Sequence, residues 1–212
     1  MAKDQIFRQE FEENYEVVRS TEEVKLDFSK KTPYTWWLNC IDHQLGRPDI
    51  WELIVFAWYA GIGKTEFSYF MARRNAILGN KTTILTLELP VKSMIQRYVY
   101  KKFWYDKLRS QTEDIPQERL DKMTAMGKKL LTIENLKYES LVGICDINAI
   151  ESIIHTQYQD WHKLFFVDNL GKITGDPNEN VRFEEITSKL QDLKNQLDIC
   201  IFLVHHLKKP KT

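Results

Sequence analysis

The sequence alternates between short apolar runs and longer stretches that have the residue spacing of amphipathic helices. Four runs are continuous enough for strands buried on both faces of a sheet, at 52–58, 82–89, 163–169 and 198–207, and a shorter strand is predicted at 129–135. Strands separated by helical stretches are usually joined by right-handed crossovers and pair in parallel. The pattern therefore predicts an α/β protein with a mostly parallel sheet flanked by helices.

Helical spacing is clearest in three of the intervening stretches. One begins after Lys64 and stops near Gly79-Asn80, a typical signal for a helix end. A second covers 146–161, where Asp146 is a suitable N-cap. The third places five apolar residues on one helical face: Phe183, Ile186, Leu190, Leu193 and Leu197. Residues 91–128 also look mostly helical, with a polar break at SQTEDIP.

Composition limits the functions to consider. The chain has 212 residues, of which 43% are hydrophobic, enough for one globular domain with a sizeable core. Thirty basic and thirty acidic residues cancel, so the overall charge gives no general attraction to nucleic acid. Three dispersed cysteines predict no disulfide framework. The N-terminus lacks a secretory apolar segment and no run approaches membrane-spanning length, so we expect a cytoplasmic protein without membrane contact.

The N-terminal region is predicted to differ from the rest of the chain. Residues 1–20 are predicted to form an amphipathic helix from four apolar residues at helical spacing: Phe7, Phe11, Tyr15 and Val18. This helix packs either on its own domain or on a neighbouring subunit, and the spacing favours neither arrangement. Residues 21–50 are mixed and punctuated by proline and glycine, which is typical of a connecting segment.

A phosphate-binding loop is predicted where the first strand turns into the first long helix. Gly63-Lys64-Thr65 ends this turn as a P-loop ends, with a lysine for the β- and γ-phosphates and a threonine hydroxyl for Mg²⁺. Backbone N–H groups of the turn and the helix N-terminus attract the phosphates. Trp58 replaces the first glycine of the pattern, but it precedes the tightest part of the turn. The predicted nucleotide-binding residues are Ala60, Gly61, Ile62, Gly63, Lys64, Thr65 and Glu66, together with Asp168.

Polar residues end three other predicted strands. Asp168 follows four apolar residues and is placed as the acidic residue that holds Mg²⁺ with Thr65. Glu88 is a candidate general base for the attacking water. His206 is a candidate sensor of the γ-phosphate, with His205 as the alternative. Because the carboxyl ends of parallel strands meet at one edge of a sheet, these residues are expected to cluster with Lys64.

The order of these motifs resembles the DnaB-type replicative helicases of superfamily 4, which have a RecA-like P-loop core. The resemblance runs from ELIVFAWYAGIGKTEF through ILTLELP and LFFVDNL to IFLVHHLKKP, and it spans residues 50–210. The ending HLKKP looks most like the branch of phage primase-helicases and mitochondrial Twinkle. The P-loop is shared by many ATPases, whereas the glutamate after the second strand, combined with that ending, is more specific.

The resemblance implies a motor domain that couples ATP hydrolysis to movement on single-stranded DNA. The family works as a ring-shaped homo-hexamer with ATP sites between subunits. It implies catalytic roles for Glu88, Lys64 and His206, and Mg²⁺ binding by Thr65 and Asp168. Residues 1–45 would be an N-terminal linker helix and linker, and residues 46–212 the RecA-like ATPase domain. The family's pore loops and arginine finger are expected beyond Thr212, so the domain is expected to be incomplete at its C-terminus.

Two other functions fit the same motifs. One is a RecA-like ATPase of recombination or regulation. The other is a nucleotide-binding module that no longer hydrolyses ATP, an alternative favoured by the neutral charge and the missing arginine finger. The combination of Lys64, Thr65, Glu88 and Asp168 favours an enzyme instead.

Overall fold

The protein is seen in a computed structural model that describes residues 34–36, 39–59, 61, 63–105, 114–143 and 145–207. Its centre is a sheet of five parallel strands in the order β1-β7-β5-β2-β3. These strands are β1 Leu53–Tyr59, β2 Thr82–Thr86, β3 Leu136–Ser140, β5 Leu164–Asp168 and β7 Cys200–Leu207. Two short strands, β4 Cys145–Asp146 and β6 Ile173–Thr174, form a separate parallel pair. The predicted parallel α/β architecture is confirmed.

Six α-helices are described, and they cover both faces of the sheet. They are α1 Asn39–Leu45, α2 Lys64–Ile77, α3 Val91–Lys102, α4 Gln117–Leu131, α5 Ile147–Gln159 and α6 Glu179–Leu197. One face packs against α2, α3 and α4, and the other against α5 and α6. None of these helices is long and apolar enough to cross a membrane.

The core on the first face contains a group of aromatic side chains. The Phe202 ring, 1% exposed, stacks on Phe166 with ring centroids 4.6 Å apart. Trp36 meets Phe202 edge-on at 5.5 Å, so the residues before α1 belong to this core. The compact unit accordingly runs from residue 32, and we propose that the ATPase domain begins there rather than at residue 46.

Three features of the helices follow local sequence signals. The Asp146 side chain accepts a hydrogen bond from Ala149 N at 2.8 Å and caps α5, as predicted. Gly79, with φ of 94°, follows the end of α2. The predicted apolar face of α6 is confirmed, because Ile186, Leu190 and Leu193 are buried in the second core.

The strand predicted at 129–135 is wrong. Helix α4 continues to Leu131, and the strand is the next segment, Leu136–Ser140. Met123 and Leu130 are buried seven residues apart, so the helical period extends through part of the apolar stretch that had suggested a strand. The true strand alternates apolar and polar residues because only one of its faces, with Leu136 and Tyr138, packs in the core. The run at 52–58, predicted to be buried on both faces, is instead the strand at the other edge, where Val55 is 39% exposed.

Two further boundaries differ from the sequence predictions. The segment predicted as a connection, 21–50, contains helix α1 in its described part. Asp42 in α1 accepts hydrogen bonds from the Thr35 hydroxyl at 2.8 Å and from Trp36 N at 3.1 Å, which ties the helix to the preceding residues. Strand β2 ends at Thr86 instead of 89, and residues 87–89 bend away from it. The helix predicted at 1–20 lies outside the described residues.

Candidate nucleotide and magnesium site

Two glycines of the turn between β1 and α2 have the left-handed backbone conformation. Gly61 and Gly63 have φ of 88° and 92°, angles that residues with a side chain rarely adopt. Helix α2 begins at Lys64, and Phe67 N donates to Gly63 O at 2.9 Å. The first N–H groups of α2 therefore follow the turn directly, as anion binding at a helix start needs. Ala60, Ile62 and the side chain of Trp58 lie outside the part of the chain that is described.

Lys64 is the first residue of α2, and its side chain reaches back over the turn. Its Nζ donates a hydrogen bond to Tyr59 O at 2.6 Å, back across the loop. Burial lowers the pKa of the Lys64 ammonium, while the carboxylates of Asp168 and Glu88 act in the opposite direction. The lysine is thus held between the loop and two acidic residues, where an ammonium can reach phosphate oxygens.

Thr65 and Asp168 meet although they come from distant parts of the sequence. The Thr65 hydroxyl donates a hydrogen bond to the Asp168 carboxylate. Burial raises the pKa of Asp168, and this hydrogen bond and the nearby Lys64 ammonium oppose the shift. Asp168 Oδ1 is buried and has no hydrogen-bond partner among the described residues. A hydroxyl and a carboxylate with a spare oxygen are the ligands that Mg²⁺ takes in proteins, so the pair fits this ion.

Strand register explains how Glu88 and His206 reach the same point. Asp168 at the end of β5 is level with Thr86 of β2 on one side and with Val204 of β7 on the other. Glu88 and His206 each stand two residues beyond those positions, so both extend past the end of β5. The sheet-like pairing continues past β2, because Leu87 N donates to Asp168 O at 2.6 Å.

The residue after Asp168 is Asn169, which the sequence analysis did not select. The peptide bond between Asp168 and Asn169 is cis, and the Asn169 side chain is buried. Its Nδ2 donates to Glu88 Oε2 at 2.8 Å and lies 3.5 Å from His206 Nδ1. The sequence shows that a polar residue directly follows a strand-end aspartate. That pattern does not predict which residues the side chain of Asn169 contacts.

The structure separates the two histidines of β7. His206 Nδ1 lies 4.0 Å from Glu88 Oε2, on the side of the predicted nucleotide-binding residues. His205 points to the opposite face, where its ring meets Phe183 edge-on with centroids 5.5 Å apart. Burial lowers the pKa of His205, so its neutral form is favoured. His206 is therefore the histidine whose position suits a γ-phosphate sensor.

Glu66 is positioned differently from the other predicted nucleotide residues. Its carboxylate forms an ion pair with Lys101 of α3. This pair directs the side chain toward α3, while the backbone N–H of Glu66 remains at the start of α2.

Comparison with known proteins identifies the family. The family model for the DnaB-like helicase C-terminal domain matches residues 39–211. This chain belongs to that family. It is accordingly an ATP-hydrolysing helicase domain, and its motor function follows from the family. The ATPase domains of DnaB-like helicases use nucleotide and Mg²⁺, and the helicases are hexamers that bind single-stranded DNA.

Solved structures share the fold of this DnaB-like domain. One of them, an isolated ATPase domain, has a TM-score of 0.72 and 15% sequence identity, covering 97% of this chain and 71% of that one. A second structure is that of a DnaB-like replicative helicase and its interactions with primase. It has a TM-score of 0.72 and 16% identity, and the match covers 97% of this chain and 52% of that one. The chain thus spans about half the length of this second relative. No curated protein sequence matched.

Proposed function

We propose that this chain binds ATP with Mg²⁺ at the P-loop edge of its sheet and hydrolyses it to drive movement along single-stranded DNA. The observation that carries the proposal is the convergence of Lys64, Thr65, Asp168 and Glu88 at one sheet edge. These residues come from α2, the end of β5 and the bend after β2. Family membership favours this function over another RecA-like ATPase or a binding module without turnover.

In this proposal each side chain has one task in the hydrolysis of ATP. Lys64 and the N–H groups at the start of α2 hold the β- and γ-phosphates. Thr65 and Asp168 hold Mg²⁺, which when bound offsets negative charge on the phosphate oxygens. Glu88 accepts a proton from the attacking water as the water oxygen bonds to the γ-phosphorus, while the bond from that phosphorus to the bridging oxygen breaks and ADP leaves. His206 lies beside Glu88, where a hydrogen bond to the released or transferring phosphate is within reach.

The decisive experiment measures nucleotide binding and hydrolysis with the full chain. A fluorescent ATP analogue is titrated with Mg²⁺ and then with EDTA, and release of radiolabelled phosphate is followed with and without oligo-dT. Binding that needs Mg²⁺ and is weakened by Asp168→Asn supports the proposed site. Binding that is unaffected by this change and by EDTA would contradict the assignment of Thr65 and Asp168.

A second surface supports assembly into a ring. An apolar groove of about 380 Å³ lies between α3 and α4. Ile95, Val99 and Met123 are buried at its floor, and its upper wall exposes Leu120 and Leu131, which are 37% and 48% exposed. Exposed apolar residues grouped in a groove are typical of a surface that receives another chain.

We propose that residues 1–20 of a neighbouring copy dock in this groove. The predicted apolar face of that segment matches the apolar lining, which suits helix-in-groove recognition. Charge supports the same occupant, because Lys92 and Lys128 border the groove and the segment is net acidic, with five acidic residues (Asp4, Glu10, Glu12, Glu13 and Glu16) against three basic ones (Lys3, Arg8 and Arg19). The sequence left two arrangements open, and we propose packing on a neighbouring subunit because DnaB-like helicases are hexamers.

A further inference from the structure

Every polar atom of the Asn169 side chain is engaged by a different part of the site. Its Nδ2 donates to Glu88 Oε2 at 2.8 Å, and its Oδ1 accepts from Gly171 N at 2.7 Å. The side chain is 3% exposed, so water does not replace these bonds at low cost. Asn169 therefore connects the bend that carries Glu88 to the 3₁₀ turn Leu170–Lys172.

We infer that Asn169 is a positioning residue for Glu88. Glu88 lies beyond the end of β2 and its side chain is 41% exposed, so core packing does not fix its carboxylate. Among the described residues, Asn169 is the one that donates a hydrogen bond to this carboxylate. A hydrogen bond at Oε2 alone leaves Oε1 to accept a proton from water. The inference rests on the proposed function, in which Glu88 is the base.

The orientation of the amide is determined by the turn. Because Gly171 N donates to Oδ1, the amino end of the side chain has to face Glu88. The reverse orientation would place two oxygen atoms against each other at the carboxylate and would leave Gly171 N facing an amino group. The turn approaches closely, since a Cβ atom at residue 171 would lie 3.1 Å from Asn169 Oδ1. The position of the turn therefore influences where the Glu88 carboxylate lies.

The variant Asn169→Asp tests this role because it keeps the shape and removes the donor. The carboxylate of the variant still accepts from Gly171 N, but it repels Glu88. We expect kcat for ATP hydrolysis to fall by about 100-fold, the loss typical of a misplaced catalytic group. The KM and the affinity for a fluorescent ATP analogue should stay within about twofold, because the Asn169 side chain bonds to Glu88, His206 and Gly171 and to none of the described P-loop residues.

Asn178→Asp is the matched control. Asn178 lies near the same edge of the sheet, and its Oδ1 accepts from Asn180 N at the start of α6, a contact that aspartate also makes. The same change of charge at this position should leave kcat unaltered. An equal loss in both variants would mean that added negative charge, and not the bond to Glu88, causes the effect.

The double variant Asn169→Asp, Glu88→Gln distinguishes positioning from other roles. If Asn169 acts through Glu88, the double variant should be no slower than Glu88→Gln alone. Losses that multiply would overturn the inference while leaving Glu88 as the base. Full activity of Glu88→Gln would remove Glu88 as the base, and the inference with it, whereas loss of ATP hydrolysis in the parent chain would contradict the proposed function.

The contact is also tested without turnover. The side-chain NH₂ signals of Asn169 in a ¹⁵N–¹H spectrum of the full chain are assigned by their loss in Asn169→Asp. Glu88→Gln should shift these signals more than those of other asparagine side chains, because the carboxylate that accepts from Nδ2 is replaced by a neutral amide. Signals that stay in place would overturn the inference, whatever the hydrolysis rates.

Discussion

His206 lies 4.0 Å from Glu88, measured from Nδ1 to Oε2, although the two residues leave different strands. They reach this distance because β5 separates β2 from β7 and both side chains extend past its end. Asn169 fills the space between them. The candidate base and the candidate phosphate sensor thus share Asn169 as a neighbour, so a movement of one side chain can displace the other.

Lys64→Ala is expected to weaken ATP binding by about 10- to 100-fold, because it removes a cation that forms charge-assisted hydrogen bonds to phosphate. Equilibrium titration with a fluorescent ATP analogue measures the effect. Lys122→Ala is the control, since that lysine is exposed and pairs with Glu118 on α4, away from the P-loop. Equal affinity of the Lys64 variant and the parent chain would contradict the P-loop assignment.

Glu88→Gln should separate binding from hydrolysis. The amide keeps the shape of the side chain but does not take a proton from water, so kcat should fall by about 10²- to 10⁴-fold while ATP affinity is retained. Single-turnover release of labelled phosphate gives the rate. Glu139→Gln is a matched change at a β3 residue that bonds to Gln157 away from the site, and it should hydrolyse ATP at the parental rate. A fast Glu88 variant would remove this residue from the mechanism.

Leu120→Glu combined with Leu131→Glu should disrupt assembly through the groove between α3 and α4. Both side chains are partly exposed, so the fold should tolerate the change, whereas two carboxylates would repel the acidic N-terminal segment of a neighbour. Analytical ultracentrifugation with ATP and Mg²⁺ should show smaller species than for the parent chain. Leu45→Glu, at a residue 73% exposed on α1, is the control. Unchanged oligomers in the groove variant would refute docking at this surface.

Stability should decrease as the pH falls through the ordinary pKa of histidine, which is about 6.5. His162 is 4% exposed, its Nδ1 lies 2.8 Å from Thr83 Oγ1, and burial lowers its pKa. The folded chain then binds a proton less readily than the unfolded chain, so protonation favours unfolding below this pH. The free energy of unfolding recovers as the pH rises above it. Burial lowers the pKa of His205 as well, which adds to the same trend.

The variant His162→Gln tests this pH dependence, because glutamine can bond to Thr83 without titrating. Urea unfolding at about pH 5.5 and about pH 7.5 should show a smaller difference in midpoint for this variant than for the parent chain. His155→Gln, at a side chain 47% exposed, should keep the parental difference. An unaltered pH dependence in His162→Gln would mean that other groups cause the acid sensitivity.

Much of the fold was accessible from local patterns. Continuous apolar runs such as 163–169 predicted buried parallel strands because a strand covered on both faces needs apolar residues at every position. The Asp146 cap and the end of α2 at Gly79 follow from backbone groups that neighbouring residues satisfy. The apolar stretch at 129–135 misled because a helix end and a short strand have similar composition over so few residues.

The sequence by itself determined that Lys64, Thr65, Asp168, Glu88 and one histidine would lie at the carboxyl edge of the sheet, because parallel strands all end there. Only the tertiary structure decided which of them touch. The order β7-β5-β2 brings Glu88 and His206 to either side of Asn169, and the strand register turns His206 toward the site and His205 away from it. Strand order and register depend on packing between residues far apart in the chain, which local spacing does not encode.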